Sequence, residues 1–247
     1  TGIFLNCGFQ AGIPKGSGVM VDRDWVNCIG HMDDNWLTNY SIHNNNLMSY
    51  YDLNFSAGNV FSFDKGFEVK LNFSFDNQVF CFTSTEGYGN YGKTFPDNTN
   101  YVPHRHEVPE EPNLFFEGEV ISYKQTRYFI GAGIEVCKTF GNGLYLSLHG
   151  APRFAYLKAE DHHWGKGEKF VDLPYGFGGV LAGGNVSYSF NSRHKISLKA
   201  DYDWLPVIMG ADYFAYETSD DWSSDIQYLG GASSTLYSAS LSYTFTF

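Results

Sequence analysis

Residues 237–247, at the C-terminus, alternate without exception between apolar or aromatic side chains and hydroxyl side chains. Successive side chains of a β-strand point to opposite faces, so this pattern predicts a strand with one apolar face and one polar face. The apolar face carries Tyr237, Ala239, Leu241, Tyr243, Phe245 and Phe247. The polar face carries Ser238, Ser240, Ser242, Thr244 and Thr246. A chain that ends in such a strand needs apolar surroundings on one side of a sheet and polar surroundings on the other.

Similar alternation recurs along the chain and predicts about eight strands. The candidate strands cover residues 2–11, 51–57, 67–75, 114–138, 144–157, 170–190, 194–216 and 237–247. Several are longer than the roughly 9–11 residues with which a tilted strand crosses a bilayer. The C-terminal strand, which closes on Phe247, also resembles the terminal signature by which bacterial outer-membrane barrels are recognised for insertion.

The composition fits a membrane barrel better than a soluble enzyme or a helical membrane protein. Aromatic residues make up 18% of the chain and charged residues only 17%, with 27 glycines among 247 residues. No stretch approaches the roughly 18 consecutive apolar residues of a spanning helix, whereas lipid-facing and lumen-facing residues alternate in a barrel. A sequence pI near 5.0 argues against a nucleic-acid partner, which would require a basic surface. We predict one domain over residues 1–247, an all-β transmembrane antiparallel up-and-down β-barrel.

The segments between the strands are of two kinds, and their order predicts the orientation. Residues 64–66, 141–143 and 191–193 are rich in the residues that tight hairpin turns require. Residues 13–46, 87–113, 159–169 and 217–230 form long polar segments. Bacterial barrels have short periplasmic turns and longer outer loops. We therefore expect the polar segments at the outer end of the barrel and the C-terminus on the periplasmic side.

Asp22 and Asp24 lie two residues apart in the first of these polar segments. In an extended chain they point to the same side, and two adjacent carboxylates resist ionising together, so the pair is expected to titrate as a unit. The alternative is an acidic loop on a chain whose formal net charge is −11.

Asp161 and His163 show the same spacing in the third polar segment. A carboxylate that holds one ring nitrogen of a histidine fixes its tautomer and strengthens the other nitrogen as a base. One alternative is an exposed polar loop. Another is a metal site that combines this pair with His162, His104 and His106, but their spacing is irregular and we predict no metal. The cysteines, Cys7, Cys28, Cys81 and Cys137, have no metal-binding spacing either, and a disulfide between two of them is open.

Five segments, in order along nearly the whole chain, resemble motifs of the omptins, the outer-membrane endopeptidases of Gram-negative bacteria. MVDRDW at 20–25 is similar to the family's MVDxDW, TNYSIH at 38–43 to TDxSxH, and YDLN at 51–54 to FDLN. ISYKQ at 121–125 is similar to IGYKQ, and DHH at 161–163 falls where the family has D-x-H.

This resemblance implies a ten-stranded barrel and a protease that forms no covalent intermediate. In omptins an Asp pair faces an Asp–His pair, and a water between them attacks the peptide carbonyl. By resemblance, Asp22 and Asp24 would position and help to deprotonate this water, His163 would act as general base, and Asp161 would orient His163. No cofactor is implied, although lipopolysaccharide is a possible activator. The active-site end would be extracellular, in contact with peptide or protein substrates, and the barrel would contact outer-membrane lipid.

The expected substrate contacts depart from the family pattern. Omptins prefer to cleave between basic residues and use acidic pocket groups to do so. Two such acidic positions correspond to Asn39 and Ala159 here, although Glu160 is adjacent. Ser41 and His43 match family positions near the cleft, and together with Asn39 and Glu160 they are expected to contact the substrate. A basic preference is therefore less strongly implied than hydrolysis itself.

The omptin Asp pair follows three strands, whereas one partial strand precedes Asp22 here. We infer that an N-terminal hairpin of about two strands is absent from this sequence, which would leave two unpaired sheet edges. Two other functions are left open. One is a non-catalytic barrel, an adhesin or small pore, and the other is a lipid-modifying enzyme that uses Ser41 and His43.

Overall fold

The computed structural model describes residues 1–24, 36–37, 39–91, 93–94, 101–102, 104–105, 112, 114–218 and 229–246. Trp25, Cys28, Thr38, His106 and Phe247, which entered the sequence predictions, lie outside these residues. The strands are β1 (Gly2–Gly12), β2 (Lys15–Asp24), β3 (Trp36–Leu37), β4 (Asn39–Phe63), β5 (Phe67–Tyr91), β6 (Lys93–Thr94), β7 (Tyr101–Val102), β8 (His104–Arg105), β9 (Leu114–Thr139), β10 (Leu144–His163), β11 (Glu168–Ser189), β12 (His194–Tyr216) and β13 (Leu229–Phe245). A 3₁₀ turn, Asp64–Gly66, joins β4 to β5. In the described chain no helix is long and apolar enough to cross a membrane.

The long strands form one antiparallel sheet in the order β1, β4, β5, β9, β10, β11, β12, β13. β2 also pairs with β4, beyond the end of β1, so β1 and β2 lie end to end along one neighbour. The break between them falls at Ile13 and Pro14, and proline has no N–H to give to a sheet ladder. The sheet therefore has about eight rows of strand, as the alternation predicted.

Neighbouring strands follow chain order, which is the topology of an up-and-down barrel. Within the described residues, β1 and β13 occupy the two edges of the sheet and are not paired with each other. Two short strand pairs, β3 with β8 and β6 with β7, lie outside the main sheet. The sheet is thus barrel-like but open along one side.

The outer face of the sheet is apolar and the inner face is polar, which is the reverse of a soluble protein. Large apolar side chains are exposed on the outer face, for example Phe73 at 73% and Phe177 at 82%. On the inner face, Arg153 is only 3% exposed and forms ion pairs with Asp76 and Asp203. Apolar-out and polar-in alternation is the pattern of a transmembrane barrel.

The C-terminal strand follows this rule as predicted. Ser238, Ser240 and Ser242 line an inner cavity of about 600 Å³, whereas Tyr237 and Leu241 are exposed on the opposite face.

A small apolar cluster interrupts the polar interior. Its buried members are Phe129, Ala155, Leu157, Leu205 and Ile208. Along β10 this cluster lies between Arg153, whose guanidinium stacks 4.1 Å from the centre of the Phe129 ring, and Asp161 near the strand end. We call this cluster the floor, because along β10 it lies between the inner cavity and the strand end that carries Asp161 and His163.

The tight turns lie where they were predicted, but two of the expected outer loops are mostly strand. Asp22 and Asp24 lie within β2 rather than in a loop. Asp161 and His163 lie within β10, and only residues 164–167 turn the chain into β11. The loop prediction was wrong because strands that continue past the apolar belt are polar on both faces, so polarity alone does not mark their ends.

Candidate active site

His163 is the last residue of β10, and its ring is held by Asp161 on the same face of the strand. The Nε2–H of His163 donates to Asp161 Oδ2 at 3.0 Å. Phe170 packs edge-on against the ring, with centroids 5.4 Å apart, and the strand end is anchored by the bond from Trp164 N–H to the carbonyl of Val120. With Nε2 used in this way, Nδ1 keeps its lone pair and is available as a base.

The pKa of His163 is raised above its ordinary value of 6.5. Burial alone would lower the pKa, because it disfavours the charged ring, but the hydrogen bond and charge of Asp161 outweigh it. The negative charge of Asp22 raises the pKa further. His163 therefore keeps its proton to higher pH than a buried histidine without a carboxylate partner would.

Asp22 approaches His163 from a strand that is distant in the sheet. It lies on β2, pairs in register with Ser41 of β4, and acts electrostatically on His163 of β10. Because β4, β5 and β9 lie between β2 and β10 in the sheet, this interaction requires the sheet to curl until its two walls face each other. Asp24 pairs in register with Asn39, but its side chain lies outside the described part of the structure.

Ser41 and His43 form a buried pair behind Asp22, each only 1% exposed. His43 Nδ1–H donates to the carbonyl of Glu86 at 2.6 Å, so Nε2 accepts the hydroxyl hydrogen of Ser41 at 2.8 Å. A bulge makes the first bond possible, since Glu86 and Gly87 both have positive φ angles, of 52° and 120°. This burial is unlike the substrate contact expected from the sequence, because neither side chain is open to the cleft.

The pKa of His43 is lowered from 6.5. Burial is the largest cause, the hydrogen bond to the Glu86 carbonyl opposes it, and the charge of His163 lowers the pKa further. His43 is therefore neutral when His163 takes up a proton, which keeps the bond from Ser41 intact.

A chain of polar side chains on the inner face of β9 was not predicted as part of the site. Tyr123 lies opposite Asp161 in the register of β9 and β10. Gln125 Nε2–H donates to Tyr123 Oη at 2.8 Å, and Arg127 Nε–H donates to Gln125 Oε1. The sequence signal for this polar chain was the alternation of polar residues in ISYKQTR at 121–127. In the sequence analysis the first five of these residues were interpreted only as a family motif.

Burial raises the pKa of Tyr123 to about 12, helped by the charges of Asp161 and Asp172 and opposed by Arg127. The phenol is therefore protonated throughout the pH range in which His163 titrates.

A second carboxyl pair, Asp172 and Asp212, was also missed. Asp172 lies in register with Ala159 on one side and with Asp212 on the other. Burial, together with the charge and hydrogen bond of Asp212, raises the pKa of Asp172 to about 7, and burial also raises the pKa of Asp212. One of these two carboxyls therefore keeps its proton to higher pH than an isolated aspartate would. The joint titration expected for Asp22 and Asp24 stays a prediction. They lie on separate strands, so only the pairing of β11 with β12 brings them together.

The remaining expected substrate contacts, Glu160 and Asn39, lie on β10 and β4. Glu160 points to the opposite face of β10 from Asp161, where Lys158 Nζ lies 2.8 Å away and Lys124 Nζ 3.5 Å away. Glu160 was expected to contact the substrate, and this geometry corrects that expectation, since adjacent residues of a strand face opposite ways. Ala159 and Asn39 are both buried.

Among the side chains considered as metal ligands, the described ones, Asp161, His162 and His163, do not face one common point. His162 faces away from Asp161 and stacks on Trp164, with ring centroids 3.8 Å apart. The side chain of His104 lies outside the described residues. Among the residues that are described, no group of three His, Cys, Asp or Glu could hold a metal ion. Cys7, Cys81 and Cys137 are free thiols.

Comparison with known proteins identifies the family. The model of the Omptin family matches residues 2–247. Among solved structures, the chain is similar to the outer membrane protease OmpT from Escherichia coli, with a TM-score of 0.72 and 14% sequence identity, over 99% of this chain and 79% of that one. A search of curated protein sequences gave no significant match. With a barrel topology, an Asp–His pair at the end of β10 and a family match over almost its whole length, this chain belongs to the omptin family.

Proposed function

We propose that this protein is an outer-membrane endopeptidase that hydrolyses peptide bonds with a water molecule activated between Asp22 and His163. The observation that carries the proposal is the hydrogen bond from His163 to Asp161, in a ring that also senses the charge of Asp22. A histidine supported by one carboxylate and faced by another suits general base catalysis near neutral pH. Membership of the omptin family supports the same reaction, and the similar structure is that of a protease.

In the proposed mechanism the water lies between the Asp22 carboxylate and Nδ1 of His163. Asp22 accepts one hydrogen bond from the water and orients it, and Nδ1 takes the other proton as the water oxygen attacks the carbonyl carbon. Asp161 accepts the Nε2–H bond and stabilises the imidazolium that forms. The imidazolium then returns its proton to the nitrogen of the departing amine. Asp24 is assigned to the same water by family resemblance.

The substrate class proposed is a peptide or an exposed protein segment with basic residues near the cleaved bond. Asn39 and Ala159 offer no charge to such residues, but Asp172 is in register with Ala159 and shares a proton with Asp212. Near neutral pH this pair carries about one negative charge. A positively charged substrate side chain beside Ala159 would favour the state in which Asp172 and Asp212 are both ionised. The substrate cation would then form an ion pair with these carboxylates and replace the shared proton.

We place the protein in the bacterial outer membrane with its active-site end extracellular. The strand ends that carry Asp22 and His163 lie opposite the tight turns at 64–66, 140–143 and 190–193, and short turns face the periplasm in such barrels.

We also propose lipopolysaccharide as an activator. Lys124, Lys158 and Lys169 line an outward-facing groove of about 630 Å³ near the active-site end, and their ammonium groups suit lipid phosphates. Lipid-free protein should gain activity when lipopolysaccharide is added. A Lys158→Ala/Lys169→Ala variant should respond less.

The two other functions left open by the sequence are less well supported. The lumen of a pore is lined by polar side chains, whereas Phe129, Leu157 and Leu205 form a buried apolar cluster on the inner face. A lipid-modifying enzyme would need an accessible nucleophile, whereas Ser41 is 1% exposed. Only a measurement of peptide cleavage distinguishes a protease from an adhesin.

The deciding experiment compares the intact protein with its His163→Ala variant, refolded in detergent with lipopolysaccharide, on a quenched fluorescent peptide with two central arginines. Loss of the general base should lower kcat by about 10²- to 10⁴-fold. His194→Ala is the matched control, because His194 lies at the opposite end of the barrel, where it bonds to Tyr243. If the His163 variant cleaves as fast as the parent, or if the folded parent cleaves neither this peptide nor unfolded casein, the proposed function is wrong.

A further inference from the structure

The order of hydrogen bonds along β9 determines which way the Tyr123 hydroxyl donates. Arg127 has donors only, so the group of Gln125 that faces it must be the acceptor Oε1. The amide nitrogen of Gln125 is thereby turned towards Tyr123 and donates to its phenol oxygen. Because the phenol oxygen accepts this bond, its own hydrogen has to point elsewhere.

The surroundings of Tyr123 indicate where that hydrogen points. Tyr123 is the cross-strand neighbour of Asp161, and directly opposed residues of a sheet share a face. Its phenol senses the charges of both Asp161 and Asp172, so it lies beside the Asp–His pair. Among the described residues the only hydrogen bond of the Tyr123 hydroxyl is the one it accepts from Gln125, and Asp161 Oδ1 is buried without any hydrogen bond. The hydroxyl hydrogen therefore remains available to a group that enters the cleft.

We propose that the Tyr123 hydroxyl donates a hydrogen bond to the carbonyl oxygen of the scissile peptide and stabilises the negative charge that develops there. This inference rests on the proposed peptide hydrolysis, for which it supplies a missing part. Attack by water turns a neutral carbonyl into an oxyanion, and Asp22, Asp161 and His163 offer that oxygen no suitable donor. Placed donors of this kind often contribute the largest share of catalysis in acyl transfer.

The step balances without transfer of the Tyr123 proton. A lone pair of the water oxygen forms the bond to the carbonyl carbon, and the C=O π pair moves onto the oxygen. The water proton goes to Nδ1 of His163. The phenol of Tyr123, with its pKa of about 12, keeps its proton and only shortens its hydrogen bond to the oxyanion.

Gln125 and Arg127 act through Tyr123 as positioning residues. The guanidinium polarises the amide of Gln125, and the amide hydrogen in turn draws charge from the phenol oxygen, which strengthens the phenol as a donor. Arg127 is itself held by a bond from Nη1 to Ser234 Oγ at 3.2 Å and by the Phe80 ring, 4.7 Å from its guanidinium carbon. The donor is thus fixed before a substrate arrives.

The test is the Tyr123→Phe variant of the intact protein, assayed with the same quenched peptide and with its phosphinic analogue, which resembles the tetrahedral intermediate. Removing one oxyanion donor should lower kcat by about 10²-fold or more with KM little changed. Affinity for the phosphinic analogue should fall by a similar factor, whereas affinity for an uncleavable ground-state peptide should not. Tyr128→Phe, on the outer face of the same strand, is the control and should behave as the parent.

Gln125→Glu tests the relay, because a glutamate can still accept from Arg127 but cannot donate to Tyr123. The phenol should then turn its hydrogen to the new carboxylate, and kcat should fall as far as in Tyr123→Phe. Adding Tyr123→Phe to this variant should cause little further loss.

The possible failures are distinct. If His163→Ala abolishes cleavage while Tyr123→Phe keeps the parental kcat and analogue affinity, the oxyanion role is wrong and the proposed hydrolysis stands. If Tyr123→Phe instead shifts the pH midpoint of activity and leaves the plateau rate unchanged, the hydroxyl donates to Asp161 and the inference is overturned. If His163→Ala cleaves like the parent, the proposed function itself fails.

Discussion

Asp22 and His163 act on each other electrostatically although three strands separate their own strands in the sheet. The charge of Asp22 is one of the causes that raise the pKa of His163. The relationship arises from curvature of the sheet and not from neighbouring strands. It can be measured without any assumption about the substrate.

Replacing Asp22 with Asn should lower the pKa of His163. The negative charge of Asp22 favours the protonated ring, so its removal makes the proton easier to lose and moves the titration to lower pH. The shift can be read from an NMR titration of His163 labelled in the intact protein. Asp64→Asn, in the turn at the opposite end, should leave the titration where it is. An unchanged midpoint in the Asp22 variant would mean that the two walls of the cleft do not approach each other.

Asp161→Asn should reduce kcat by about 10²- to 10⁴-fold with a small effect on KM, because Asn cannot stabilise the imidazolium. The barrel offers a matched control. His149 and Asp201 form an equivalent pair in the inner cavity, also 3.0 Å apart, but on the far side of the floor from Asp161. Asp201→Asn should keep its cleavage rate once folded. Equal losses in both variants would indicate damage to the barrel and not to the catalytic pair.

Stability should depend on pH through Asp172 and Asp212. The pKa of Asp172 is raised from 3.8 to about 7 in the folded protein, so the proton is bound more tightly there than in the unfolded chain. A raised folded pKa contributes stability that is complete below about pH 4 and is lost as pH rises through about 7. Asp212→Asn removes the second charge, so its free energy of unfolding should decline less between about pH 4 and 8. Urea titrations at several pH values measure this difference, and parallel curves for parent and variant would contradict it.

Arg153→Met should destabilise the barrel by about 3–5 kcal/mol, because it leaves two buried carboxylates, Asp76 and Asp203, without their cation. Arg193→Met, in an exposed turn, is the control and should have almost no effect. The midpoint of urea unfolding measures the change. The fraction of the Arg153→Met variant that folds should cleave peptide at the parental rate, because Arg153 lies below the floor, away from His163.

The alternation of side chains was enough to predict the strands and the tight turns, because a barrel repeats one simple rule at every strand. It failed where the rule changes. Beyond the apolar belt both faces of a strand are polar, so residues 159–163 were interpreted as loop although they are strand. The outward direction of Glu160, by contrast, could have been predicted from its place next to Asp161, since neighbours in a strand face opposite ways.

The Asp161–His163 pair of the candidate site was easier to predict than its surroundings. Asp161 and His163 are two residues apart, so local geometry alone brings them together. The partnership of Asp172 with Asp212, or of Tyr123 with Asp161, depends on register between separate strands, which no short-range pattern contains. Family resemblance supplied Asp22 as a partner for His163, and no property of the local sequence could have done so.

The floor made by Phe129, Ala155, Leu157, Leu205 and Ile208 affects how a polypeptide could be digested. In the proposed protease, a polypeptide bound at Asp161 and His163 would meet this apolar cluster before it reached the polar cavity that contains Arg153. We therefore expect both flanks of the cleaved bond to stay at the end of the sheet that carries His163. Cleavage would then need no free chain end, and both fragments would leave on the same side of the membrane.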